Sequence, residues 1–431
     1  MTHWHTTAAL SRALAIGSLG LAVAVLSGEP VLVVLTAPFL VFAALGLLHR
    51  PTTEPRFTTQ LDHAVLHEGQ GTRSRLSVDD LSEVEQVTRL AASVPHVAMH
   101  PADGRICRLI GPDGTLPVVE VSPRRWGRRN LGEENIALTS RWAGYRLGPT
   151  TLIGHQLQVL PVRAPFDSRA EAPQPIGLVG AHRSRRLGDG TEFAAIRPFQ
   201  AGDRLRRINW RVSLRSQSLH VVTSRGEEDT GVLVVVDALA DHGRSGGVDG
   251  TASSLDVTVR AAAALAEHHV RRGDRVALRV VGAGWESVGY GAGQRHLRMI
   301  LGRLALLHVG EPRGFSADHL QFGATAGTVV IVLSPMLSDA MATATATLLR
   351  RGLPVLVIDT LPPDAAPAVV EGTDPRVADV AWRMRRLERD QVLARLSALG
   401  CPVVVWRGPG TLDDVLRRLA RRAQLPQVSA R

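Results

Sequence analysis

Two long apolar runs near the start of the chain constrain its fold most strongly. They occupy residues 8–27 and 31–48 and are separated by Gly28-Glu29-Pro30. Each run is about as long as a helix must be to cross the hydrocarbon core of a bilayer. One continuous helix would be too long and would place Glu29 near its middle. The pattern therefore predicts a transmembrane helical hairpin within residues 1–50, with the bilayer as a partner.

The charges around these runs predict an orientation. Arg12, Arg50 and Arg56 flank the ends that lie opposite the short turn. Under the positive-inside rule, both ends of the hairpin and the soluble domains face the cytoplasm, so the protein is predicted to be a multi-pass cell-membrane protein. The alternative is a cleaved signal peptide followed by an anchor, which would export the rest of the chain.

Residues 51–165 change to short alternating stretches separated by turn residues. Typical turns are Pro101-Ala102-Asp103-Gly104 and Gly111-Pro112-Asp113-Gly114. Strands of this length and spacing predict a small all-β sandwich.

Residues 166–231 form a linker followed by an arginine-rich segment, Gly188–Glu228, which we call the motif segment. Its arginines need acceptors, and Asp189, Glu192, Asp203 and the acidic run at 227–229 are candidates for bidentate pairing. Trp210 is interpreted as a buried anchor. The pattern favours an interdomain clasp over a partner-docking surface or a phosphate or nucleic-acid contact. The predicted clasp residues are Arg197, Gly202, Asp203, Arg207, Asn209, Trp210 and Arg215.

From residue 232 to 431 apolar runs alternate with helical patterns. Strands are expected at 232–236, 275–281, 328–333, 354–359 and 401–406, and helices at 254–272, 293–309, 338–351, 375–399 and 411–423. Such alternation predicts a doubly wound α/β domain, in which ligands bind at the carboxyl ends of the strands. The glycines at 282–284 and 289–293 are interpreted as hairpin turns.

The motif segment resembles the hallmark of the domain-of-unknown-function 58 family, bacterial membrane-anchored proteins with a von Willebrand factor A-like domain. Two positions depart from the family pattern, which has Asp or His at Asn209 and Ala at Leu214. The resemblance implies that the protein acts together with a MoxR-type AAA+ ATPase and a transglutaminase-like membrane protein. The implied role is complex assembly or cell-envelope function. The matching positions are Gly190, Glu192, Phe193, Arg197, Phe199, Gly202, Asp203, Arg207, Ile208, Asn209, Trp210, Arg215 and Leu219.

The resemblance also implies a place for a metal. Von Willebrand A domains hold Mg²⁺ through a D-x-S-x-S pattern after the first strand, because this hard cation prefers oxygen ligands. Here Asp237 is kept, but Leu239 and Asp241 replace the serines. We therefore predict no metal and no cofactor, with weak ion binding by Asp237 and Asp241 as the alternative, and we interpret these two residues as a partner surface.

Composition argues against other functions. The net charge is +10, but the sequence has no lysine and its arginines are interleaved with acids, which argues against a nucleic-acid partner. Cys107 and Cys401 stand in no metal-binding pattern. Asp359 is interpreted as a lone carboxylate, and the arginines at 383–389 as a solvated helix face.

These patterns together predict a non-catalytic, membrane-anchored scaffold. The alternatives are a metal-dependent enzyme acting at the strand ends of the α/β domain and an arginine-mediated nucleic-acid binder.

Overall fold

The computed structural model describes most of the chain. It covers residues 3–111, 114–162, 183–188, 192–200, 205, 208–227, 231–284, 286–311, 322–324, 328–366, 374–408 and 411. The chain divides into two compact units, the first comprising Met1–Val162 with Gly246–Asp249 and the second Arg163–Ser245 with Gly250–Arg431. The finer division into four domains stays a prediction.

Two apolar helices open the first unit, as the sequence predicted. Helix α1 spans Ala8–Ser27 and helix α2 spans Pro30–Leu48. Both are long and apolar enough to cross a membrane by length and composition. They approach closely, because a Cβ added at Gly20 would lie 2.1 Å from Cγ2 of Thr36. Gly28 ends α1 in the left-handed conformation, with φ of 69°, which glycine adopts at little cost.

The rest of the first unit is β-structure. Its described strands are β1 (Trp4–Thr6), β2 (Phe57–Leu61), β3 (Val65–His67), β4 (Thr72–Val78), β5 (Val84–Ala91), β6 (Val97–His100), β7 (Arg105–Leu109), β8 (Val118–Pro123), β9 (Gly127–Asn130), β10 (Glu134–Ser140), β11 (Tyr145–Leu152) and β12 (Gln156–Leu160). They form sheets in the orders β1-β11-β10-β5-β7, β2-β4-β8-β6 and β3-β12-β9. Strand β4 alternates buried and exposed residues, as expected of a strand with one covered face.

The core of this unit joins side chains from different sheets. Leu76 of β4 packs with Val87 of β5, Ile136 and Leu138 of β10, and Leu147 of β11. Strands of the four-stranded and five-stranded sheets therefore contribute to one apolar cluster. This packing is compatible with the all-β arrangement predicted for residues 51–165.

A charge pair is buried within the same unit. Arg89 on β5 is fully buried, and Glu134 on β10 is 3% exposed. The closest approach, from Nη2 of Arg89 to Oε2 of Glu134, is 2.7 Å. Arg89 also donates through Nη1 to the carbonyl oxygens of Ser74 and Pro117, at 2.7 and 3.3 Å. These hydrogen bonds and the ion pair offset the cost of removing both charged groups from water.

The second unit begins with a small antiparallel sheet. It contains β13 (Arg183–Gly188), β14 (Glu192–Pro198) and β15 (His220–Glu227) in the order β13-β15-β14, and helix α3 (Trp210–Ser216) precedes β15.

A six-stranded sheet with helices forms the rest of this unit. Its elements are β16 (Gly231–Asp237), α4 (Ser254–Arg271), β17 (Arg275–Val281), β18 (Ser287–Gly291), α5 (Gly293–Leu304), β19 (Val329–Ser334), α6 (Asp339–Arg350), β20 (Val355–Asp359), α7 (Pro375–Ala398) and β21 (Val403–Val405). The strand order is β18-β17-β16-β19-β20-β21. All pairs are parallel except β17 with β18. Every residue of β16, β19 and β20 is buried, which explains their continuous apolar runs.

The structure corrects the interpretation of the glycine-rich stretch. Residues 282–284 form the bend of a hairpin, but Ser287–Gly291 is strand β18 rather than a turn. A Cβ added at Gly291 would lie 2.5 Å from Nδ1 of His296, so the strand needs a glycine there. The helix predicted at 411–423 lies, beyond residue 411, outside the described residues.

The buried charge pair gives a test of this fold. We expect Arg89→Met to lower the free energy of unfolding by about 3–5 kcal/mol, because it leaves the Glu134 carboxylate buried without a counter-charge. Urea denaturation of the detergent-solubilised chain, followed by tryptophan fluorescence, measures the change. The matched control is Arg73→Met, which removes an exposed partner of Glu120 and should cost less than about 1 kcal/mol. Equal losses in the two variants would contradict a stabilising role for the buried pair.

Candidate functional site

The motif segment is anchored in the second unit by its backbone and by one apolar side chain. Asn209 N donates to the carbonyl oxygen of His220 at 2.9 Å. Ile208 forms a β-bridge with Val221. These two side chains are 9% and 2% exposed, so Ile208 is the buried apolar anchor.

Asn209 also begins helix α3. Its Oδ1 accepts a hydrogen bond from Val212 N at 3.2 Å, which satisfies one of the free N–H groups at the helix start. One turn further on, Ser213 is buried and its Oγ accepts from His220 N at 2.9 Å. The side of this short helix that faces β15 therefore carries a small polar residue, Ser213. Its hydrogen bond with His220 holds α3 against β15.

The outward face of α3 is apolar. Trp210 and Leu214 are 62% and 78% exposed and stand four residues apart, so they share one helix face. The interpretation of Trp210 as a buried anchor is therefore wrong. The inward side of the helix is taken by Ser213, whose size allows the close approach to β15. The indole of Trp210 is instead exposed to solvent.

The predicted clasp is only partly covered by the structure. Arg197 donates through Nη1 to the carbonyl oxygen of Pro198 at 3.0 Å. Arg215 is exposed in the last turn of α3, where a positive charge favours the helix dipole. The clasp itself stays a prediction. Outside the described residues lie Gly202, Asp203 and Arg207, together with Asp189 and the acids at 228–229.

A second candidate region lies at the carboxyl ends of three neighbouring strands. Strands β16, β19 and β20 end in Asp237, Ser334 and Asp359, which we call the strand-end row. Ser334 donates its hydroxyl to Oδ2 of Asp237 at 2.5 Å. Each side chain of the row also accepts a hydrogen bond from the backbone N–H two residues later, which stabilises the turn after the strand. The donors are the N–H groups of Leu239, Met336 and Leu361, at 3.1, 2.9 and 3.0 Å.

Two arginines of α7 bind across this edge. Arg389 is 8% exposed, forms an ion pair with Asp359, and donates through Nε to the carbonyl oxygen of Pro335 at 2.7 Å. One turn earlier, Arg385 donates through Nη2 to the carbonyl oxygen of Leu337 at 2.9 Å. The carboxyl ends of β19 and β20 are therefore covered by side chains of the same unit.

The residues at this edge do not fit a divalent cation. Both oxygens of Asp237 already accept hydrogen bonds. Leu239 is 8% exposed and supplies no oxygen, and Asp241 uses Oδ1 to accept from Leu255 N at the start of α4, at 3.1 Å. Among the described residues, no group of three or more His, Cys, Asp or Glu side chains could hold a metal. Mg²⁺ instead needs several free oxygens in octahedral order.

Burial changes the acidity of Asp237. The interior position of Asp237 raises the pKa of its carboxyl to about 6, although the hydrogen bonds from Ser334 and Leu239 act in the opposite direction. With 3% of Asp237 exposed, the surface predicted at Asp237 and Asp241 reduces to Asp241, which is half-buried.

Sequence reasoning missed the connection between Asp359 and Arg389. It treated Asp359 as a lone carboxylate and Arg389 as part of a solvated helix face, and both interpretations are wrong. The spacing within the helix could have indicated that Arg389 is buried. Trp382, Arg389 and Leu396 recur every seven residues, so they lie on one face of the helix. That face packs inward, and the arginine on it meets the carboxylate at the strand end.

The fold and the site together define a class. The described chain is a mixed α/β protein with two N-terminal helices apolar enough to cross a membrane, and its strand ends are closed by its own side chains.

We also compared the chain with known protein families. Residues 195–378 match the family described as "Protein of unknown function DUF58". The matched region contains α3, the strand-end row and the start of α7. A comparison with curated proteins found no match.

The strand-end row generates a pH prediction. Burial raises the pKa of Asp237 from its ordinary value near 4 in the unfolded chain to about 6 in the folded chain. Folded protein is therefore most favoured, as far as this group is concerned, below about pH 4. Stability is lost as the pH rises through 6, by about 3 kcal/mol in total.

We expect Asp237→Asn to remove this loss, because the amide stays neutral and can still accept from Leu239 N. The difference in unfolding free energy between the variant and the wild type should grow in the variant's favour by about 3 kcal/mol from pH 4 to pH 7.5. Urea titrations at several pH values measure it. Asp364→Asn, at an exposed carboxylate, is the control. A difference that stays flat with pH for Asp237→Asn would refute the assignment.

Proposed function

We propose that this protein is a non-catalytic, membrane-tethered scaffold whose DUF58 region recognises another protein. One observation carries the proposal. The polar groups at the strand ends are engaged by the chain itself, whereas Trp210 and Leu214 of the motif segment are exposed to solvent. An enzyme needs free acids, bases or nucleophiles beside a cleft, but a recognition surface needs exposed aromatic and apolar anchors.

The proposal includes a von Willebrand A-like domain that has lost its metal site. Its support is the resemblance of the motif segment and a mostly parallel sheet in which the central strand β16 ends in Asp237. Leu239 stands where the metal-binding pattern has its first serine, and the other residues of the edge are committed to turns and helix starts. This arrangement supports the proposal of recognition without a bridging cation.

The partner we propose is a MoxR-type AAA+ ATPase, with a transglutaminase-like membrane protein in the same assembly. The exposed face of α3 is the proposed docking surface for the ATPase. Trp and Leu one helical turn apart supply apolar area, and the neighbouring Arg211 and Arg215, both exposed, add charge that complements an acidic rim. The role would be complex assembly or cell-envelope maintenance.

The proposed setting is the inner face of the cell membrane. Helices α1 and α2 would form a transmembrane hairpin, and the sheets between residues 51 and 165 would form a β-sandwich on the cytoplasmic side. Support comes from the length and apolarity of the two helices and from the arginines that flank them.

The docking surface can be tested by substitution. We expect Trp210→Ala combined with Leu214→Ala to weaken binding of the ATPase by about 30-fold or more, because central aromatic anchors each contribute about 2 kcal/mol or more. Pulldown from detergent extracts and titration of purified proteins measure this. Leu109→Ala, which truncates an exposed apolar residue of β7, should bind as the wild type does.

Two results would end the ATPase hypothesis. One is failure of the wild-type chain to recover an ATPase of this type. The other is an unchanged thermal stability when the purified ATPase is added, since a ligand that binds only the folded state must raise it. If the ATPase binds but the double variant binds equally well, the partner stands and the α3 surface is wrong.

The orientation has its own test, because Cys107 is exposed and Cys401 is buried. A membrane-impermeant maleimide should label Cys107 only after spheroplasts are permeabilised, because the soluble domains are proposed to face inward. The labelling is read by mass shift, and Cys107→Ser should abolish it. Labelling of intact spheroplasts would place the soluble part outside.

A further inference from the structure

The outward face of helix α7 carries an apolar stripe. Val377, Val380, Met384 and Leu387 recur at intervals of three, four and three residues, which places them on one side of a helix. Their exposed fractions are 60%, 55%, 58% and 65%. We call these four residues the α7 stripe. Four large apolar side chains in a continuous line on one surface indicate a binding face rather than scattered exposure.

The opposite face of α7 is fixed to the second unit. Leu396 is 3% exposed and Arg389 is 8% exposed. Trp382 donates its indole N–H to the carbonyl oxygen of Ala365 at 2.9 Å. These three inward residues are spaced by seven and lie on the side of the helix away from the stripe. The stripe is therefore directed away from the domain to which α7 belongs.

We propose that α7 pairs in parallel with α7 of a second copy of this chain, forming a two-stranded coiled coil. The stripe then occupies the a and d positions of a heptad, with Val377 and Met384 at a and with Val380 and Leu387 at d. Valine at a and leucine at d are typical of parallel two-stranded pairs. Gln391 takes the next a position, where paired side-chain amides can hydrogen-bond to each other and fix the register.

Charges beside the stripe complement this pairing. In a parallel pair, a g residue faces the e residue five positions further along in the other helix. Arg383 then faces Glu388 of the second copy, and Asp390 faces Arg395, and each contact occurs twice. Arg383 already forms an exposed ion pair with Asp379 of its own helix at 2.7 Å, so it would lie between two carboxylates.

The length of the helix and its setting favour association. Helix α7 has 24 residues, which is more than three heptads, and it is already folded on its domain. Pairing therefore need not pay the cost of helix nucleation. If α1 and α2 cross a membrane, two copies are also confined to one surface, which raises their effective concentration. The inference stands apart from the proposed ATPase partner, since it concerns a different surface.

Charge exchange on α7 tests the proposal. The full-length chain is purified in detergent, and its oligomeric state is measured by light scattering and by analytical ultracentrifugation over a range of concentrations. We expect a dimer. Leu387→Asp and, separately, Arg383→Glu should each raise the dissociation constant at least tenfold. Adding Glu388→Arg to Arg383→Glu should restore the dimer, because the exchanged charges face each other again. Arg350→Glu, at an exposed arginine of α6, is the matched control and should have no effect.

Each other outcome overturns the proposal. A monomeric wild-type chain at all concentrations would mean that the stripe is covered by another partner or by a segment of the same chain. A dimer that survives Leu387→Asp would use a different surface. Failure of the charge exchange to restore a dimer that Arg383→Glu has weakened would exclude the parallel register. Thermal melting of every variant separates these results from a failure to fold.

Discussion

The hydrogen bonds that end strands β16, β19 and β20 are the interactions on which the second unit depends. Each of Asp237, Ser334 and Asp359 accepts from a backbone N–H two residues ahead. A parallel sheet delivers all its carboxyl-terminal loops to one edge, and polar side chains there commonly serve ligands. In this chain their oxygens accept hydrogen bonds from the turns that follow the strands.

The same edge also needs a positive charge, and the chain provides it internally. A buried carboxylate such as Asp359 is costly unless it is paired. Arg389 supplies the guanidinium and in addition satisfies the carbonyl oxygen of Pro335. The charge that compensates this carboxylate is therefore part of the chain itself.

The sequence predicted the elements whose signal is local. The central strands are continuous apolar runs because both of their faces are covered, and helices α4, α6 and α7 were placed within a residue or two of their observed ends. Strand β18 was missed because Gly289 and Gly291 are typical of turns, although Gly291 is needed for the contact with His296. The orientation of Trp210 could not be predicted either, since it depends on the packing of Ser213 against β15, which the helical spacing of the residues does not reveal.

The ion pair of Arg389 has a consequence for the outer surface of the protein. Because the guanidinium of Arg389 is paired with Asp359, α7 cannot rotate about its long axis without breaking a buried ion pair. This ion pair therefore fixes the direction in which each side chain of α7 points. A substitution of Asp359 would therefore change which residues of α7 face solvent. No residue on the solvent-facing side of the helix would have to be altered for this to happen.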